Sequence, residues 1–298
     1  MDTFHNRVAL VTGAASGIGL GLVRALVREG ARVAMVDKRQ DVLAGAAAAV
    51  EREGGRVIAV TLDVTDRKAW VAAADRVEAE LGNIDVLCSN AGVNFIGPTH
   101  EATFEDWDFA LGVNLGGAIN AVRTVVPRMI ARGTRGHVTI TSSVSGLFTG
   151  GGSGVYATSK YALVGFSESL RADLKPHGIG VSVLCPGPVK SELFESTATV
   201  RPASLAASGS LPLLPPGVAR EETPIFVTAP DADEIARMAL EGIRRNRLYI
   251  LTHAEIRPVL EARSAALLAS LPAGPVSPAR IEASSRLLDV SLYANSHG

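Results

Sequence analysis

The sequence predicts an α/β fold: one doubly wound parallel sheet of about seven strands with helices on both faces, a long loop insertion and a helical C-terminal tail. Three observations predict it. Short apolar runs recur along the chain, segments of helical spacing lie between them, and a glycine-rich turn joins the first run to the first helical segment. The runs are Val8 to Val11, Val33 to Val36, Val57 to Leu62, Ile84 to Cys88, Val138 to Ile140, Val181 to Leu184 and Leu248 to Leu251. They are continuous rather than alternating, as expected of strands buried on both faces of a parallel sheet. Between them, Ile18, Leu22, Ala25 and Leu26 mark a helix, and Leu163, Phe166, Leu170 and Leu174 mark a long one after Tyr156. Strand and helix in alternation imply right-handed crossovers, so a single domain accounts for almost everything up to Leu251.

Two stretches break the rhythm. Residues 191–230 hold six prolines with many Ser and Ala, and read as a long irregular insertion that acts as a lid anchored at its start, with a mobile middle from Ala203 to Pro216. Residues 253–298 carry Val259, Leu260, Leu267, Leu268 and Leu271 at helical spacing among prolines, and read as a helical appendage.

Composition narrows the function. The 298 residues carry 29 basic and 30 acidic side chains, a net charge of -1, so nucleic acid and anionic membrane surfaces are poor partners. With 47% apolar and 20% charged residues the chain can bury a large core. No stretch reaches the ~20 consecutive apolar residues of a membrane span, and the first residues lack a signal-peptide layout, so a cytoplasmic protein is expected. Cys88 and Cys185 sit in apolar runs and read as reduced, packed thiols too far apart to bridge.

The glycine-rich turn, TGAASGIG from Thr12 to Gly19, carries the first chemistry. Gly13, Gly17 and Gly19 allow a sharp turn and close approach of a ligand, while Ser16 and Ile18 open a helix whose free N–H groups suit a pyrophosphate. Asp37 ends the second strand about 20 residues on, where a carboxylate accepts hydrogen bonds from a ribose diol and repels a 2′-phosphate. Lys38 and Arg39 follow; they read either as an accommodation for that phosphate or as a solvated loop. NAD is favoured over NADP because Asp37 holds the position facing the ribose.

Tyr156 and Lys160, four apart on a helix, emerge on one face. A phenol near pKa 10 is a poor base at neutral pH, and a neighbouring ammonium lowers it. In order along the chain stand the glycine turn, Asp63-Val64, Asn90-Ala91-Gly92, Asn114, Ser143, Tyr156 with Lys160, and Pro186-Gly187. In these motifs, over residues 6–192 and the strand near Leu248, the chain resembles the short-chain dehydrogenase/reductase family in its shorter single-domain branch, with a Rossmann fold. The resemblance implies a catalytic tetrad. Tyr156 would be the general acid/base, Ser143 would hold the substrate oxygen, and Lys160 would bind the nicotinamide ribose and lower the Tyr156 pKa. Asn114 would hold a water joining Lys160 to solvent. It also implies that Asp63 and Val64 contact adenine, that Asn90 and Gly92 floor the adenosine ribose, and that Pro186, Gly187 and Val189 flank the nicotinamide. Ser191 stands where the family has Thr, and Ser89 where it has Asn.

A dry pocket should then be walled by Phe95, Phe148, Leu193 and Phe194, and Gly150 to Gly152 leave room for a bulky, even aromatic substrate. VNFIGP, PVKS and LYILTHAEIR resemble the family's branch that oxidises benzylic alcohols of lignin-derived aryl ethers. The reading is an NAD-dependent oxidoreductase acting on a small-molecule secondary alcohol or ketone, with no metal. Its alternatives are an NADPH-dependent carbonyl reductase and a nucleotide-binding protein without turnover. Apolar residues on several faces of the long helix (Leu163, Val164, Phe166, Leu170, Leu174) suggest a homotetramer or homodimer.

Overall fold

A computed structural model describes residues 1, 3–205, 223–285 and 291–294. Seven strands form a single parallel sheet: β1 Val8–Thr12, β2 Arg32–Asp37, β3 Arg56–Thr61, β4 Ile84–Ser89, β5 His137–Thr141, β6 Gly180–Cys185 and β7 Tyr249–Leu251. Their order is β3-β2-β1-β4-β5-β6-β7. The chain winds outward from β1 in one direction and from β4 in the other, and this reversal opens a crevice at the carboxyl ends of β1 and β4. β1 and β5 are buried throughout, and β2, β4 and β6 at all but one residue each, which is why their sequences show long apolar runs.

Helices α1 Gly17–Arg28, α2 Gln40–Arg52 and α3 Arg67–Leu81 connect the first four strands. A helical stretch from Phe104 to Arg132 follows β4, in two α segments, α4 Phe104–Leu111 and α5 Gly117–Arg132, joined by a π-helical turn, Gly112–Gly116. α6 Gly154–Leu174 connects β5 to β6; α7 Leu193–Val200, α8 Pro224–Val227 and α9 Ala232–Arg244 lie between β6 and β7. One face of the sheet packs α3, α5 and α6 through Trp70, Val77, Val125, Leu163 and Leu170; the other packs α1, α2 and α9 through Leu22, Leu26, Leu43, Ile235 and Ile243. α1 and α9 lie in close contact: a Cβ on Gly21 would stand 2.6 Å from the Ala232 carbonyl oxygen.

Several expectations shift. The stretch 104–132 is long and apolar enough by length and composition to cross a membrane, with a mean hydropathy of 1.3 over its most apolar window, yet half of that window is buried inside this fold. The segment from Ser191 is not irregular throughout: α7 forms two turns, and Lys190 beside it bridges Asp231. Most of the stretch read as a mobile lid centre, residues 206–216, lies outside the described residues, as do residues 286–290 and 295–298 of the tail. The apolar side chains of α6 that suggested association are engaged within this chain: Leu163, Leu170 and Leu174 join the main core, Val164 a smaller cluster, and Phe166 is half-buried. Beyond β7, α10 Arg257–Ala269 buries none of its residues and leaves Leu267 and Leu268 exposed. Cys88 and Cys185 are buried and free, on strands separated by β5.

Candidate functional site

The crevice holds a cleft of about 520 Å³, and both ends of the chemistry expected from the sequence open into it. At one end the backbone turns out of β1 with Gly13 at φ +67° and Gly17 at φ +54°, left-handed values that favour glycine. A Cβ on Gly13 would lie 2.9 Å from Ala91 Cα, so the turn presses against the chain leaving β4. Asn90 fixes that contact: its backbone N–H donates to the Thr12 hydroxyl at 2.9 Å and its amide to the Thr12 carbonyl at 3.1 Å. Asn90 thus braces the turn as well as lining the cleft. α1 begins with Ser16 as N-cap but without a capping side-chain bond, so its first N–H groups face the cleft with no side chain on them.

At the end of β2, Asp37 is 7% exposed and its carboxylate accepts four hydrogen bonds within the chain. Oδ1 accepts from the Arg39 backbone N–H at 3.0 Å and Arg39 Nε at 3.1 Å; Oδ2 accepts from Arg39 Nη2 at 3.0 Å and the Ala15 N–H at 3.3 Å. The same Nη2 donates to Ser16 Oγ at 3.0 Å. Arg39 is therefore no solvated loop residue; the hydrogen bond to Asp37 raises its already high pKa despite partial burial. Lys38 pairs with Asp63 at 2.9 Å. Burial would raise the Asp63 carboxyl, but Thr65, through backbone and hydroxyl, and Lys38 outweigh it and hold it below its usual value. Val64, on the same wall, uses its carbonyl to accept from Trp70 Nε1 and Asn120 Nδ2.

The other end is built by β5, the π turn and α6. Lys160 Nζ donates to the Thr141 carbonyl at 3.1 Å and lies 5.4 Å from the centre of the Tyr156 ring. Asn114, 2% exposed within the π turn, accepts from the Val93 N–H at 2.8 Å and donates to the Val93 carbonyl and to Ser159 Oγ. Its amide clamps the chain after β4, leaving only a lone pair on Oδ1 for a water. Gly92 gives room here, since a Cβ would come within 3.2 Å of Asn114 Oδ1 and 3.5 Å of Lys160 Nζ. Ser143 accepts from the Ser145 N–H at 3.1 Å and lies 3.4 Å from the Pro186 carbonyl. Burial pushes the Tyr156 phenol up to about 12, with the Ser143 hydroxyl pulling it down. Burial pushes the Lys160 ammonium down to about 8. Lowering of the phenol by Lys160, expected from their spacing, is not seen in the protein alone: burial dominates, and the Ser143 hydroxyl is what pulls the phenol down.

Of the four side chains expected to wall a substrate pocket, Leu193 and Phe194 line the cleft. Phe194 meets Phe226 edge to face, ring centres 6.4 Å apart. Phe95 is buried with Ala110 and Val155 behind Tyr156, and Phe148 is half-buried; neither lines the cleft. Gly150 and Gly151 are exposed, and Gly150 to Gly152 lie outside its lining. Pro186, Gly187, Val189 and Ser191 do line it; so do Arg39, Glu192 and Ile96.

The residues present fit a dinucleotide: an uncapped helix N-terminus beside a glycine turn, an acidic strand end, and a Tyr-Lys-Ser group at the far end of one cleft. Fold and cleft together define an oxidoreductase dependent on a nicotinamide dinucleotide. Comparison with known proteins agrees. The family model described as short chain dehydrogenase matches residues 7–201. A C alpha-dehydrogenase of Sphingobium sp. strain SYK-6 is 36% identical over 277 residues, 91% of this chain and 88% of that protein. A 1-deoxy-11-beta-hydroxypentalenate dehydrogenase of Streptomyces exfoliatus is 36% identical over 85% of each chain. A short chain dehydrogenase/reductase from Burkholderia phymatum, solved in complex with NAD, superposes with a TM-score of 0.80 at 29% identity, covering 93% of this chain and 100% of that one. The chain belongs to the short-chain dehydrogenase family and is an NAD(P)-dependent oxidoreductase.

Proposed function

We propose that the enzyme is NAD-dependent and interconverts a secondary alcohol and its ketone, with Tyr156 as general acid/base. The observation that carries this reading is the convergence of Tyr156, Ser143 and Lys160 on one end of a cleft whose other end is the α1 N-terminus and Asp37. Bound NAD supplies the acceptor for hydride, and its reduced form the donor. Ser143 Oγ holds the substrate oxygen and Tyr156 exchanges a proton with it. Lys160 grips the nicotinamide ribose hydroxyls and, with the positive charge of the oxidised cofactor, draws the phenol down from its buried value. Asn114 holds the chain at Val93 and keeps a lone pair for a relay water. The α1 N–H groups take the pyrophosphate, Asp37 the adenosine ribose, and Asp63 with Val64 the adenine.

Leu193, Phe194 and Phe226 support an apolar substrate of some bulk. One observation favours a second reading. Arg39 neutralises Asp37 and reaches Ser16, so NADPH would meet a guanidinium rather than a bare carboxylate. Exposed Leu267, Leu268 and Leu271 support association of copies of the chain, which sedimentation at micromolar concentration tests.

The test of the main reading is Tyr156→Phe. It removes only the exchanging hydroxyl, so turnover with a panel of aryl and aliphatic secondary alcohols should fall at least about a thousandfold while NADH affinity stays within about threefold. Substantial residual turnover would remove Tyr156 from its role.

A further inference from the structure

Pro186, Gly187 and Pro188 share a single main-chain N–H, because proline has none. That N–H, on Gly187, donates to Nδ1 of His253 at 3.1 Å. The other ring nitrogen, Nε2, lies 2.9 Å from the Pro188 carbonyl oxygen. A carbonyl only accepts, so Nε2 carries the proton and Nδ1 is the bare acceptor, to which the Thr252 hydroxyl at 2.8 Å also donates. The ring is thus oriented, with its tautomer set by its partners. It is 6% exposed and lies flat on the glycine: a Cβ on Gly187 would stand 2.8 Å from His253 Cγ and Cδ2.

His253 stands just past β7, while the loop it grips follows the neighbouring β6. On its opposite side the loop is fixed to the Tyr156 end of the cleft, since the Pro186 carbonyl accepts from the Val144 N–H at 2.9 Å and lies 3.4 Å from Ser143 Oγ. The loop lines the cleft between these two holds. Asp37, which would take the adenosine ribose, is on the far side of the sheet order, with β1, β4 and β5 between β2 and β6.

We propose that His253 is a positioning residue that sets the wall against which the nicotinamide ring lies, acting through Gly187 and Pro188. This rests on the dinucleotide reading of the cleft. It requires a selective effect: loosening the loop harms binding of the ring end and spares the adenosine end.

Two ligands separate the ends, NADH and ADP-ribose, which lacks the nicotinamide. His253→Ala should weaken NADH about tenfold, the scale of a lost hydrogen bond to a buried partner, and leave ADP-ribose within about twofold. His253→Asn keeps an acceptor near the Nδ1 position and should hold NADH within about threefold of wild type. His253→Gln can place its NH2 toward Pro188 but then puts no acceptor at the Nδ1 position facing Gly187, and should resemble the alanine variant. The Asn and Gln pair decides the matter even where the alanine variant does not fold. Equal weakening of both ligands would overturn the proposal in favour of general loosening, and so would NADH affinity unchanged in both Ala and Gln variants. Wild-type protein that binds neither ligand would overturn the dinucleotide reading itself, and the proposal with it.

Discussion

Replacing Arg39 by Ala should raise the ratio of NADPH to NADH dissociation constants by at least about tenfold. The guanidinium supplies two of the four hydrogen bonds on the Asp37 carboxylate, and both side chains are largely withdrawn from solvent, at 14% and 7% exposure. Its removal leaves the Arg39 and Ala15 backbone N–H groups in place, so Asp37 stays oriented but gains unneutralised charge and open lone pairs. A unit-charge pair about 5 Å apart at an effective dielectric near 20 is worth about 3 kcal/mol, more than a hundredfold in affinity. A 2′-phosphate can turn outward, and the Lys38 ammonium remains on the rim paired with Asp63, so about tenfold is the floor. NADH carries only hydroxyls there and gains acceptors, so its affinity should hold or improve. Titration of both reduced cofactors by nicotinamide fluorescence measures the ratio. An equal change for the two would refute the reasoning, since it would place Arg39 on a part of the cofactor that both share.

Two further predictions come from buried titrating groups. Tyr156, held up at about 12, and Lys160, held down at about 8, are respectively neutral and largely charged at pH 7; as pH rises past about 8 Lys160 loses the charge that binds cofactor and lowers the phenol, so kcat/KM should decline above about 8 in both directions. Steady-state profiles in both directions check this, and a kcat/KM that holds or rises between about pH 8 and about pH 10 would count against it. His137, buried beside Ser182 Oγ, is pushed by burial down to about 3. The unfolded chain takes up that proton near 6.5 and the folded one does not, so stability present above pH 6.5 should be lost toward pH 3 at about 1.4 kcal/mol per unit; denaturant midpoints for wild type and His137→Gln should converge as pH falls.

The sheet was legible because each buried strand is written as a short run of β-branched and aliphatic residues that needs no alternation. The Tyr156-Lys160 pair was legible because four residues on a helix fix a common face. What escaped the sequence depended on how distant pieces of chain meet. His253 and Gly187 are separated by 66 positions, and a lone histidine after a strand carries no pattern. Arg39 is two residues from Asp37, yet only the bend between β2 and α2 turns its side chain back on the carboxylate. Phe95 looked like a pocket wall because it is aromatic and follows the Asn90 motif; the chain direction there buries it behind Tyr156 instead. α7 was hidden by the proline-rich composition around it, although Leu193, Phe194, Thr197 and Val200 have helical spacing.

The anchoring of α7 changes how the cleft can control its substrate. Lys190 at its start donates to the Pro230 carbonyl, Thr197 accepts from the Asn94 N–H at 2.9 Å, and Arg201 just past its end pairs with Asp106 at 2.6 Å. Asp106 is fully buried and the Arg201 side chain 9% exposed, and separating such a pair leaves an uncompensated charge at a cost of about 3–5 kcal/mol. Swinging the whole helix would break all three holds at once. The segment Ser191 to Arg201 therefore behaves as a fixed wall, and selectivity on this side falls to the side chains it projects. Leu193 and Phe194, with Phe226 edge-on behind the latter, can change rotamer without disturbing any of those holds. The mobile part of the expected lid, Ala203 to Pro216, lies mostly outside the described residues; the segment before it is a rigid frame with an adjustable apolar lining.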